Sequence, residues 1–205
     1  MFDFDKQIDR RGTNSLKWNK YKDQDVIPLW VADTDFMAPQ GVIDALQQRI
    51  AHGVFGYSRP SPRLIELIIE RMQQRYSWKI EPEWLLFMPG VVPGLNFGIK
   101  AWCRSDQHVI TPNPVYYPFL HAPEYNNRPV SLLPMQLVND RWLPDFDTFE
   151  QQAKTADVFL LCNPHNPGGT VFTREELQRI ADIAIRNDLV VISDEIHCDL
   201  LLEPN

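Results

Sequence analysis

The sequence predicts an α/β fold built on a mostly parallel sheet. Three observations point to it. An apolar run, Val158-Phe159-Leu160-Leu161-Cys162, ends in a proline-punctuated polar turn, Asn163-Pro164-His165-Asn166-Pro167-Gly168-Gly169. A second run, Leu189-Val190-Val191-Ile192, ends in Ser193-Asp194-Glu195-Ile196-His197. Between them lies a helix-length segment opened by Thr173-Arg174-Glu175-Glu176, a capping box in which Thr173 caps the helix and Glu176 reaches back to it. Strand, helix and strand in that order make a crossover, which is right-handed almost without exception. Ligands of open α/β sheets sit beyond the carboxyl ends of parallel strands, so Asn166 and Asp194 can face one ligand from neighbouring strands.

The remaining elements follow in chain order. The stretch to about Asp35 is polar and irregular, with Trp18 and Trp30 as anchors. Ala38 to Ile50 reads as a helix after Pro39, with Val42, Ile43, Leu46 and Ile50 at helical spacing. Gly53-Val54-Phe55-Gly56-Tyr57 reads as a loop. Ser61-Pro62 starts another helix, since proline suits the first helical position. Leu64, Ile65, Ile68, Ile69 and Met72 are its expected buried stripe. Leu85-Leu86-Phe87-Met88 reads as a short strand, and the turn from Pro89 to Gly94 opens a helix running to about Trp102. Val109-Ile110 is a strand leaving into Thr111-Pro112-Asn113-Pro114-Val115-Tyr116-Tyr117-Pro118. A helix over Phe119 to Tyr125, a strand over Val130 to Leu133 and a short helix over Asp147 to Lys154 complete the series. The helix opened by Thr173 carries Leu177, Ile180, Ile183 and Ala184 on one face.

Composition narrows the function. A chain of 205 residues is one large domain or two small ones, and it can bury a substantial core. A formal net charge of -7 argues against a general nucleic-acid-binding surface. Cys103, Cys162 and Cys198 form no paired spacing, which reads as reduced thiols in a reducing compartment. The start, Met1-Phe2-Asp3-Phe4-Asp5, is acidic and lacks the apolar core of a secretory signal. No apolar run approaches membrane-spanning length, so a cytoplasmic location and no membrane partner are expected. Cys162 and His165 have ligand-like spacing and His197 adjoins Cys198, but successive strand residues point to opposite faces. No further cysteine pair completes a zinc set, so no metal site is expected.

Gly90, Gly94 and Gly98 recur every four residues across the start of a helix. They suit close packing of helix on sheet. They also suit a phosphate cradle, where free backbone N–H groups at a helix N-terminus meet an anion. The spacing matches neither a Walker loop nor G-x-G-x-x-G. An amide from Asn166 and a carboxylate from Asp194 suit a pyridine cofactor with a phenolic oxygen.

Several segments together resemble a known family: Arg11-Gly12-Thr13-Asn14-Ser15-Leu16-Lys17-Trp18, Trp30-Val31-Ala32-Asp33-Thr34-Asp35-Phe36, Phe55-Gly56-Tyr57, Gly90-Val91-Val92-Pro93-Gly94, Pro114-Val115-Tyr116-Tyr117-Pro118-Phe119, Asn163-Pro164-His165-Asn166-Pro167 and Ser193-Asp194-Glu195-Ile196-His197. In this order they resemble the N-terminal half of fold-type I pyridoxal 5′-phosphate enzymes. The likeness is to the MalY/PatB group, cystathionine β-lyase-like relatives of the class I/II aminotransferases. The resemblance implies a three-layer α/β/α large domain over residues 46–205, with residues 1–45 contributing to the small domain and the substrate entrance. It implies that Asp194 pairs with the pyridine nitrogen and that Asn166 donates to the phenolic oxygen. Tyr116 would stack on the ring, with Tyr117 as the competing choice, and Val91 and Val92 would bind phosphate through their amides. Tyr57 would reach the phosphate of a neighbouring subunit in a homodimer. His197 would either contact the cofactor or serve the fold.

The implied reaction is β-elimination from cystathionine or a related cysteine S-conjugate, giving thiol, pyruvate and ammonia. An aminotransferase on the same scaffold and a truncated regulatory protein are the rival readings. Two departures stand out. The family's usual Asn-Pro-Thr-Gly turn is Asn166-Pro167-Gly168-Gly169 here, and no lysine follows Lys154. The family's cofactor-linking lysine follows the Asp-Glu-Ile-His segment by a few tens of residues, and its carboxylate-binding arginine comes later still. Both are expected beyond Asn205, so the 205 residues read as a fragment without lyase activity of its own and with exposed, sticky faces.

Overall fold

A computed structural model of the chain describes residues 3–202. The chain forms two compact units, Met1–Trp78 and Lys79–Asn205. In the first, the polar N-terminal stretch is organised around two aspartates. Asp35 accepts hydrogen bonds from Lys17 Nζ at 2.7 Å, Trp18 Nε1 at 2.9 Å and Arg10 Nη1 at 2.9 Å. Arg10 also grips both oxygens of Asp33, at 3.0 and 2.8 Å. Lys17 and then Trp18 hold the Asp35 carboxyl far below the usual carboxylate range. Trp18 is thus anchored through its indole N–H as much as by packing. Lys17 and Trp18 sit on a one-turn helix, α1 (Leu16–Asn19), capped by Ser15.

Helices α2 (Gln40–His52) and α3 (Pro62–Tyr76) match the expected spans closely. Ser61 caps α3 by accepting from Leu64 N–H at 3.2 Å. The expected buried stripe of α3 is corrected: Ile65, Ile68, Ile69 and Met72 are half-buried and Leu64 is exposed. The helical period located the apolar face, but periodicity says nothing about how much of that face is covered.

The second unit holds a five-stranded sheet in the order β3-β2-β1-β4-β5. Its strands are β1 (His108–Asn113), β2 (Val130–Val138), β3 (Arg141–Pro144), β4 (Ala156–Cys162) and β5 (Val190–Asp194). β2, β1, β4 and β5 are parallel, and β3 folds back antiparallel on β2. Helices α4 (Val91–Trp102) and α5 (Pro118–Tyr125) pack on one face; α6 (Phe146–Ala153) and α7 (Arg174–Arg186) pack on the other. The three-layer, mostly parallel architecture is the expected one. Among the described residues no helix is long and apolar enough to cross a membrane.

β4 is apolar on both faces because both are covered. Along β4, Val158, Leu160 and Cys162 enter the core under α4 and α5, while Phe159 and Leu161 enter the core under α6 and α7. Phe149 and Phe159 meet at 4.6 Å between ring centroids in the second of these cores.

Two expectations fail locally. Leu85–Met88 is not a strand: it follows a short 3-10 turn, Pro82–Trp84, and finds no ladder partner among the described residues. An apolar run becomes a strand only beside another strand. The strand expected over Val130 to Leu133 extends to Val138 and pairs with β3, which was missed. The turn between them is Asn139-Asp140, both at positive φ, the backbone of a tight hairpin.

The capping box is complete. Thr173 N–H donates to Glu176 Oε2 at 2.8 Å, and Glu176 N–H donates to Thr173 Oγ1 at 3.2 Å. Arg141 of β3 donates to the same carboxylate at 2.8 Å, so one glutamate caps α7 and ties the hairpin to it. Arg141 holds the Glu176 carboxyl below its ordinary value of 4.5. A depressed carboxylate contributes stability above its unfolded pKa and loses it as pH falls through the folded value. Glu176→Gln is therefore expected to lower the urea midpoint at neutral pH and to shrink the acid-side loss of stability. Urea titrations across the acid range check this; an unchanged acid limb would refute it.

Candidate functional site

The lay of α4 decides where the site forms. Its C-terminal end is tied to the amino ends of the strands. Cys103 Sγ lies 3.8 Å from the His108 carbonyl at the start of β1, and Arg104 N–H donates to Asp157 at the start of β4 at 2.9 Å. α4 thus runs antiparallel to the strands, and its N-terminus lies at their carboxyl ends. The helix approaches β5 closely at Gly98, where an added Cβ would sit 2.7 Å from Ile192 Cδ1. Of the three spaced glycines, Gly98 is the packing contact; Gly94 has open space where a Cβ would be.

At the N-terminus of α4 the cap is Gly90, which offers no side-chain hydrogen bond. The first N–H groups of a helix have no intrahelical partner, and Pro93 has no N–H at all. Val91 and Val92 therefore present the bare donors, and their side chains are partly exposed. The helix dipole adds positive potential there, which suits an anion.

Asp194, the last residue of β5, shares the parity of Ile192, so its side chain faces the α4 side of the sheet. It is only 8% exposed. Among the described residues its carboxylate takes one hydrogen bond, from Ile196 N–H at 3.1 Å, and no cation pairs with it. A buried carboxylate without a cation costs free energy unless a ligand supplies the positive partner.

Asn166 and Tyr116 lie on the loops leaving β4 and β1. Tyr116 N–H donates to the Asn166 carbonyl at 2.9 Å, which joins the two loops. Asn163 N–H donates to the Asp194 carbonyl at 3.1 Å, which ties the same β4 loop to β5. Burial first, then Tyr117 and the charge of Asp194, push the Tyr116 phenol up. The Tyr116 and Tyr117 rings meet edge-on at 5.0 Å, with Tyr117 the more exposed. Four parts thus converge at the carboxyl end of the sheet: α4's first amides, Tyr116, Asn166 and Asp194.

Two further expected site residues make no hydrogen bond to this group among the described residues. His197 lies in the turn after β5, half-buried, with no hydrogen bond to Asp194, Asn166 or Tyr116 among the described residues. His197 and Cys198 are turn residues, so the opposite-faces argument for a strand does not apply to them. Tyr57 belongs to the first unit and is fully exposed on the chain after α2.

Sequence reasoning missed the support under the Asn166 turn. His165 is 2% exposed, and its Nδ1 accepts from Gly168 N–H at 3.3 Å. A Cβ at Gly168 would sit 2.5 Å from that nitrogen and 2.9 Å from Trp142 Cβ. The space for anything larger than glycine is filled, which gives the departure from Asn-Pro-Thr-Gly a physical reason. The available signal was the departure itself.

The fold and this cluster define a class. The chain matches the family described as aminotransferase class I and II over residues 24–205, and it belongs to that family. Among curated relatives, cystathionine beta-lyase PatB of Bacillus subtilis is 38% identical over 205 residues, covering 97% of this chain and 53% of PatB. The crystal structure of OvoB superposes with a TM-score of 0.93 at 51% identity, covering 100% of this chain and 54% of that one. Cystalysin from Treponema denticola, whose structure contains pyridoxal 5′-phosphate, superposes with a TM-score of 0.92 at 32% identity, covering 100% of this chain and 54% of that one. The chain spans about half the length of the curated relatives it matches.

Cys162 lies beneath the site, buried, in register with Asp194 across β4 and β5. Burial, with the charge of Asp194 adding to it, pushes its thiol up to about 11. It is expected to resist alkylation in the native protein at about pH 8, while half-exposed Cys198 reacts first. Timed iodoacetamide labelling with peptide mapping checks this, and equal native rates would contradict it.

Proposed function

We propose that these residues form the cofactor pocket of a pyridoxal 5′-phosphate-dependent carbon–sulfur β-lyase. The substrate is an amino acid of the cysteine S-conjugate class, such as cystathionine, and the products are thiol, pyruvate and ammonia. One observation carries the reading: the buried Asp194 carboxylate, without a cation, faces the α4 side of the sheet at the end where α4 presents its bare amides. That donor set fits the cofactor, with a carboxylate for a protonated pyridine nitrogen and amides for a phosphate. When bound, the cofactor supplies an electron sink for the pair left on the substrate's α-carbon.

The chain's own residues then have distinct tasks. Asp194 accepts the hydrogen bond of the ring nitrogen and keeps its proton in place. Val91 and Val92 hold the phosphate through N–H groups at the helix N-terminus. The Asn166 amide donates to the phenolic oxygen, and Tyr116 covers a face of the ring. Burial of Asp194 keeps its charge-assisted bond out of competition with water.

Two tasks fall outside these groups. Removing the α-proton and linking the cofactor belong to a lysine, and no lysine follows Lys154 in this sequence. In the same reading, residues 1–45 join the small domain and the substrate entrance. Tyr57 reaches the phosphate of a neighbouring subunit, so the working form is a homodimer in the cytoplasm. His197 is placed near the cofactor oxygen. The name of PatB supports a lyase over an aminotransferase.

Three measurements test this in an enzyme of the relatives' length carrying the present sequence. Incubated with cystathionine, it is expected to release thiol and pyruvate; amino transfer dependent on an added keto acid, without thiol release, would make it an aminotransferase. Asp194→Ala is expected to lower turnover by about a hundredfold or more while the fold persists, and near-normal kcat would remove Asp194 from the mechanism. Mixed dimers of Tyr57→Phe and Asp194→Ala subunits are expected to regain activity through one intact composite site. If no activity returns, Tyr57 does not act across subunits.

A further inference from the structure

We propose that His165 is the positioning residue of the pocket, a buried wedge that sets the Asn166 turn against the Tyr116 loop. The inference rests on the cofactor reading above and adds to it a residue that touches no ligand.

The turn is stapled through His165 in three ways. Its N–H donates to the Thr170 carbonyl at 2.8 Å, its carbonyl accepts from Gly169 N–H at 2.7 Å, and its ring accepts from Gly168 N–H at 3.3 Å. The first two bonds use only backbone and would survive any side chain. The third depends on imidazole. Because Nδ1 accepts, the ring proton sits on Nε2. Nε2 is fully buried and has no hydrogen-bond partner among the described residues. Burial pushes the His165 pKa down, and the backbone of Pro114 opposes this only in part. The neutral form is therefore the resident one. Pro114 begins the loop that carries Tyr116, so the ring lies between the loops of Asn166 and Tyr116.

The ring also has no room to shift toward the turn. An added Cβ at Gly168 would overlap Nδ1 at 2.5 Å and Trp142 at 2.9 Å, and the Phe172 ring lies 6.4 Å from the imidazole between centroids. Asn166 is one residue from His165 and two from Gly168. Any rotation of the turn would swing the Asn166 amide and, through its carbonyl, the Tyr116 N–H. The ring thus engages both loops: it accepts from the Gly168 N–H of its own turn and turns its other side to the Pro114 backbone, where the Tyr116 loop begins.

The test measures binding of pyridoxamine 5′-phosphate, which needs no covalent link, by tryptophan fluorescence in the same full-length enzyme freed of cofactor. Thermal melting without ligand reports folding. His165→Ala is expected to weaken binding about tenfold, the worth of one buried hydrogen bond. His165→Asn, which keeps an acceptor oxygen close to the Nδ1 position, is expected to restore most of it. Gly168→Ala is expected to weaken binding in the wild-type background and to cost less on top of His165→Ala, where the tighter of its two overlaps is gone and only that with Trp142 remains. If His165→Ala does not fold, His165→Asn and Gly168→Ala decide: near-wild-type affinity in the first with loss in the second supports the wedge. Wild-type affinity in both alanine variants overturns the proposal alone, as does a loss in His165→Asn equal to that in His165→Ala. Failure of the wild type itself to bind overturns the cofactor reading, and the wedge with it.

Discussion

The antiparallel lay of α4 on the sheet is the constraint on which the site depends. One end of the helix is held where Cys103 and Arg104 meet the amino ends of β1 and β4. Its middle is pressed against β5, where Gly98 leaves no room beside Ile192. Two attachments set both the direction and the height of the helix. Its free N-terminal amides are thereby delivered to the strand ends where Asp194 emerges. A methyl at Gly98 would meet the Ile192 Cδ1, so the tip of that side chain would have to turn away. Packing at one end of the molecule thus decides electrostatics at the other.

The polar end of the sheet is held together by backbone rather than by side-chain ion pairs. Asn163 bonds to Asp194, Tyr116 bonds to Asn166, and His165 closes its own turn twice. Such bonds are insensitive to screening and leave the functional side chains unengaged. Asp194 keeps a carboxylate without a cation for the same reason that makes it expensive: nothing nearby competes for it. The ion pairs named above serve the frame: Arg104–Asp157 fastens the end of α4 to the amino end of β4, and Arg141–Glu176 ties the β2–β3 hairpin to the start of α7.

The core explains why the second unit was the more legible part. β4 is buried on both faces, so its side chains had to be apolar throughout and the run stood out. The α7 cap stood out because both of its bonds come from residues three apart. Leu85–Met88 misled because four apolar residues carry no information about a neighbour. β3 escaped because Arg141-Trp142-Leu143-Pro144 is short and mixed, and its strand character comes from the Asn139-Asp140 turn and pairing with β2. The α3 stripe was found by period, yet its cover comes from the rest of the fold rather than from its own residues.

By itself the sequence determined the four parallel strands and the helices between them, the chemistry available at strand ends and the family. Apolar runs, caps and turn residues act over a few positions and can be read there. It also determined Asp194 and Asn166 as neighbours, since consecutive parallel strands end on the same side. Only the tertiary structure decided which glycine packs and which leaves space, because close approach is a property of two segments far apart in the chain. It alone showed His165 buried under the Asn166 turn, with Trp142 closing the space beside Gly168 once β3 has folded onto β2. Burial, and with it the cost of a carboxylate that no cation meets among the described residues, exists only once those segments have come together.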